Sequence, residues 1–229
     1  MNRSRTPAAV SAILLALIQL FAFYYFAKLW AFPYDGNATD KMGYLYHHQT
    51  TILIVNILAS LGFGCLLSML LAELHHKLKQ FNSPLASIGF LFGAIWIGML
   101  VAGGMLSNAG MLHALEMFLS TFEADDPLRF WETITVIVKG IGGAGTAAGG
   151  IWILLVSVCA LEAEVFSKPL GYLGLFTGLA GVATVYPDDL LGEIFRAAQI
   201  VWLIWLGVAL LSGKYAGASE PSSTEAADA

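Results

Sequence analysis

Lys139 is an ionisable side chain in the apolar stretch TVIVKGIGG, where a charge is costly and marks a site by default. It stands one or two turns inside a span that begins near residue 133, at a depth of roughly 10 Å on helix geometry. Glu132, seven residues earlier, shares its helix face, and Thr135 lies one turn away. Arg196 forms a second such point. It follows Glu193 at the spacing of a helix ion pair, Gln199 lies three residues deeper, and Asp188 and Asp189 sit at the same helix start. Lys139, Glu132, Arg196, Glu193 and Gln199 are therefore expected to line a polar vestibule, the cations contacting an anionic group and the acids tuning them. A plainer reading competes: Lys139 snorkels to a headgroup layer, and acids at a helix N-terminus complement the helix dipole without any ligand.

The histidines raise metal chemistry. His47 and His48 enter the second span, and His113 with Glu116 lies after the third. One histidine of the pair with His113 and Glu116 would suit zinc or another transition metal, and such a site could hydrolyse a lipid or peptide bond. No HExxH and no cysteine ligands accompany them, and adjacent histidines point in different directions, so interfacial histidine is the competing reading. No cofactor is required by the sequence, and zinc is the metal its residues would favour. His75 and His76 beside Lys77 and Lys79 read as a basic loop near anionic lipid. Cys65 and Cys159 fall in apolar runs, where a thiol is a small hydrophobe. No serine or cysteine has a suitably spaced base, and no histidine lies deep in a span to ligate haem. GIGGAGTAAGG contains GxGxxG at Gly140, Gly142 and Gly145, but a dinucleotide site needs a strand before it, and this run is inside a span. Its glycines, with Gly171, Gly174, Gly178 and Gly181, predict close packing of the fourth span on the fifth.

The elements that position these residues follow from composition. Of the 229 residues 58% are apolar and only 12% charged. That balance excludes a disordered chain, a disulfide scaffold and a cytosolic enzyme, and the scattered lysines and arginines make no nucleic-acid footprint. A bilayer core of about 30 Å takes about 20 apolar residues per helix, which predicts six spans. They are expected at residues 8–31, 47–72, from 85 onward, 133–161, 169–186 and 190–212, with Pro84 opening the third. The first is too long for a signal peptide and reads as an uncleaved span. Asn56 is the one strongly polar residue in the charge-free core of the second. The surplus Ser107–Phe122 predicts an amphipathic piece lying in the interface, followed by an acidic turn, EADDPLRFWE. Residues 213–229 read as a disordered tail.

With the N-terminus inside, the inner segments hold Arg3, Arg5, Lys77, Lys79, Lys168 and Lys214, and the outer loops only Lys41 and Arg129, so both termini are expected to be cytoplasmic. GGIWILLVSVCALEAEVFSKPLGYLGLFTGLAGVATVYP followed by AQIVWLIWLGVALL resembles a group of bacterial six-span membrane proteins of unknown function. The likeness is specific over about residues 149–211. It implies six helices and brings no site residues. The expected protein is an all-α, six-helix transmembrane bundle, one domain over 1–212, in a bacterial inner membrane. It would bind or conduct a small molecule or lipid through the outward-facing vestibule. A metal-dependent hydrolase and an assembly subunit docking other membrane proteins are the alternatives.

Overall fold

The computed structural model describes residues 5–121, 123–186 and 188–212. Arg3, Lys214 and the tail 213–229 lie outside the described residues. Every regular element among the described residues is helical. Helix α1 covers Arg5–Tyr24 and widens into a π-helical turn at Tyr25–Leu29. Helix α2 covers Ala38–Leu78 with a second π turn inside it at Leu58–Gly62. Helices α3, Ser83–Thr121, and α4, Asp125–Glu162, follow, then α5, Lys168–Ala183, and α6, Asp189–Ser212. All but α5 are long and apolar enough to cross a membrane. With 16 residues, α5 is about 24 Å long and shorter than the expected 169–186.

Three helices are longer than expected, and local chemistry explains two of them. Helix α2 starts nine residues before His47 because Asn37 and Asp40 form a capping box: Asp40 N donates to Asn37 Oδ1 at 2.9 Å and Asn37 N to Asp40 Oδ2 at 3.2 Å. The acidic turn expected at 123–132 is instead the start of α4, with Asp125 and Asp126 in its first turn and Pro127 directly after them. The interfacial piece expected at Ser107–Phe122 is, through Thr121, the unbroken continuation of α3. At 39 residues α3 is about 58 Å long, nearly twice a bilayer core. Pro84 does open α3.

Helices α1 and α6 run antiparallel, since Gln19 Nε2 donates to Gln199 Oε1 at 2.9 Å and a Cβ on Gly207 would meet Ile13 and Ala9. Both described termini therefore lie at one end, here the near end, with the α2–α3 and α4–α5 connections. A core shared by all six helices sits there, with Trp152 at its centre, 5.8 Å from Trp96 and 5.9 Å from Trp202 between ring centroids. Helix α5 stops beside the middle of α4, where Gly181 touches Gly150. The stretch of α4 before Gly150 continues about 37 Å toward the far end. There α2, α3 and α4 enclose a second core around Phe32, Met42, Leu45, Met111, Leu115 and Leu128.

Glycines set the near packing, with one correction. A Cβ on Gly150 would stand 2.7 Å from the Gly181 carbonyl carbon, and one on Gly178 2.7 Å from Leu154 N, so α4 and α5 meet backbone to backbone. Gly145 and Gly149, in contrast, face α3, against Met99 and Trp96. The α4–α5 connection closes with Val165 N on Ala160 O and Glu164 N on Leu161 O, a Schellman motif that places Glu164 at φ 48°.

Candidate functional site

The residues expected to form a vestibule are not drawn into one. Lys139 is exposed beside the exposed Val136 and Ile137, and among the described residues it has no ion-pair partner. Glu132 is exposed as well, and among the described residues it has no ion-pair partner. Glu193 and Arg196 do pair on the surface of α6. Gln199 is 1% exposed, and its side chain accepts from Gln19 across the α1–α6 seam. It is an interhelical link and not a lining group. A glutamine buried without a partner is costly, and Gln19 stands opposite to meet it.

The metal ligands do not converge either. His47 packs edge-on against Tyr46, and His48 stacks on Tyr44 while its Nδ1 lies 3.0 Å from the Tyr44 carbonyl. His113 pairs with Glu116 at 3.5 Å on an exposed face and packs its ring on Phe130. Among the described residues no group of three His, Cys, Asp or Glu side chains could hold a metal ion.

A cavity lies elsewhere, where the far end of α1 meets α2, α3 and α4. Its volume is about 170 Å³. Tyr25 and Trp30 come from α1 and the loop after it, Asn56 from α2, Ser107 from α3, and Trp131 and Thr135 from α4, with aliphatic side chains of α2 and Met111 completing the wall. None of the lining residues carries a formal charge. The chain reaches it from α1 through a folded aromatic loop: Trp30 stacks on Phe32 at 5.7 Å, and Phe32 lies 5.6 Å from Tyr44 and 5.5 Å from Trp131.

The polar wall is tied together between helices. Asn56 Nδ2 donates to Asn108 Oδ1 at 2.9 Å and to Ser107 Oγ at 3.3 Å, and Asn108 Nδ2 donates to the Leu53 carbonyl at 3.4 Å. Ser60, in the π turn of α2, donates to the Asn56 carbonyl at 2.6 Å. Gly104 lets α3 come this near, since a Cβ there would lie 2.3 Å from Ser60. Thr135 Oγ1 donates to the Trp131 carbonyl at 2.9 Å. The arrangement offers hydrogen bonds and ring faces at one place, which suits binding of an uncharged group and supplies no nucleophile–base pair.

Of these residues the sequence signals Asn56 most clearly, as the single strongly polar group in its span. Ser107 and Asn108 interrupt an apolar run in the same way. Trp131 carries no signal, because an aromatic residue near a charged turn is common at membrane boundaries.

Compared with protein families, with curated proteins and with solved structures, the chain finds no match in any of the three. The likeness over residues 149–211 thus remains a resemblance.

Proposed function

We propose that the chain is a non-enzymatic protein of a bacterial inner membrane, crossing it six times with both termini cytoplasmic, and that it binds a small molecule or lipid group in the outer cavity. Five long apolar helices support the membrane placement, as do the apolar side chains that cover their outer faces, such as Leu17, Ile54, Leu91 and Val208. Helix α5 crosses as a short helix packed against α4 and α6. The lysine and arginine bias supports the orientation, which puts the near end in the cytoplasm and the far end outside.

The cavity is the observation that carries the reading: mostly aromatic and aliphatic walls with a few convergent polar groups are what small-molecule sites have. It takes over the role first expected of the Lys139–Arg196 vestibule. Native mass spectrometry of the gently extracted protein tests it. The wild type should retain a discrete adduct, and Thr135→Phe, which puts a ring into the cavity from α4, should lose it while expressing normally. A bare wild-type protein, or an adduct held equally by Thr135→Phe, would overturn the reading.

A further inference from the structure

We infer that the cavity takes the ring of an uncharged molecule bearing a hydroxyl, a phenol or quinol head, with that hydroxyl donating to Asn56 Oδ1. This rests on the binding reading above and specifies what is bound.

The amide orientations decide it. A carbonyl can only accept, so Leu53 O requires Asn108 to present its nitrogen, which leaves Asn108 Oδ1 facing Asn56. Asn56 must answer with its own nitrogen. That nitrogen also reaches Ser107 Oγ, so its two protons are committed to α3. Oδ1 is then the end of the Asn56 amide that receives no donor among the described residues. Thr135 has likewise spent its proton on the Trp131 carbonyl and keeps only lone pairs. Asn56 Oδ1 and Thr135 Oγ1 are thus two acceptors that receive no donor among the described residues, in a lining that also holds the Ser107 and Tyr25 hydroxyls and the Trp30 and Trp131 indole N–H groups. A guest satisfies the two acceptors by donating.

The rest of the guest follows from volume and charge. A space of about 150 Å³ holds one benzene ring, and this half-open one, at about 170 Å³, has room for a ring. Trp131 brings an indole ring to the lining for stacking. An ionised group would be desolvated with no opposite charge in the wall. The backbone around the site is unusual as well. The π turn at Tyr25–Leu29 supplies Tyr25 to the wall and the one at Leu58–Gly62 begins two residues after Asn56, and such turns recur where helices are shaped around a function.

Fluorine NMR on the full chain in lipid nanodiscs, with empty nanodiscs as reference, tests this with 4-fluorophenol, 4-fluoroanisole and 4-fluorobenzoate. The phenol should bind roughly three- to tenfold tighter than the anisole, which has the ring and oxygen but no proton to give. The benzoate should not exceed the empty discs. Asn56→Leu should bring phenol and anisole within about twofold of each other, and Ser107→Ala should keep the preference. Equal binding of phenol and anisole by the wild type overturns the donor rule even if Asn56→Leu fails to fold, and leaves the cavity as a binding site. Tighter benzoate overturns the uncharged guest. If no probe binds while the adduct is still lost in Thr135→Phe, this inference alone fails. If no adduct exists either, both fail.

Discussion

The near and far regions of the molecule are built on opposite terms. Near the termini, six helices close on one another through glycines, and the space left beside His75 and Trp152 is about 10 Å³. At the far end three helices and an aromatic loop border a half-open space of about 170 Å³. The near region achieves contact by removing side chains, so that backbones of α4 and α5 touch at Gly150 and Gly181. The far region holds its helices apart with bulky rings and joins them by amide hydrogen bonds at Asn56 and Asn108. In the proposed membrane setting there is no hydrophobic force between helices, so close packing and hydrogen bonds are the two means available. Each region relies mainly on one. The teaching is that tight packing and open space are spatially divided: the closest helix contacts leave no room for a guest, and the far cavity has Asn56 and Thr135 in its wall.

The largest expected effect breaks the near region. Gly150→Leu would force a side chain into the Gly181 backbone, an overpacking that costs about 3 kcal/mol. It should abolish the monodisperse peak in size-exclusion chromatography after extraction. Gly142→Ala, eight residues away on the same helix with nothing within 4 Å of its added carbon, should be tolerated and gain up to about 1 kcal/mol from helix propensity. Equal tolerance of both would mean that α4 and α5 do not meet through Gly150.

A smaller effect sharpens the contrast from the other direction. Glu164 adopts φ 48° at the end of α4, a conformation that glycine takes without steric cost. Glu164→Gly should stabilise the near region by about 1 kcal/mol and raise its melting temperature, with phenol binding at the far end unchanged. A fall in melting temperature would show that the Glu164 side chain contributes more than its backbone conformation costs.

How much of this was legible follows the range of each interaction. Apolar runs placed every helix, because span length is a local property of the chain. Glu193 with Arg196 was legible for the same reason, being one helix turn. The capping box at Asn37 was hidden among turn formers in FPYDGNATDKMGYLY, and helices were ended where polar residues began, although α2, α3 and α4 continue well past that point. Gly145 and Gly149 show the limit within one helix: the glycine repeat was visible, but which neighbour each face meets was not. The candidate site was the least legible part. Asn56 meets Asn108 across 52 residues, and nothing local pairs them. Its one visible trace was a polar residue in an apolar span. The same trace drew attention to Lys139, which the structure leaves on the surface.

Lys139 therefore supplies the prediction of smallest effect, and the one that separates the two placements of the site. A vestibule lined by Lys139 and Arg196 would lose an anionic guest when the charge is removed. A cavity lined by Asn56, Ser107 and Trp131 has no use for that charge. Lys139→Met keeps the long stem against its exposed apolar neighbours and removes only the ammonium group, so stability should change by less than about 0.5 kcal/mol. The adduct seen by mass spectrometry and the affinity for 4-fluorophenol should both match wild type within about twofold. A tenfold loss of either would return the site to Lys139, because an exposed side chain with no partner among the described residues can act on a guest only by touching it.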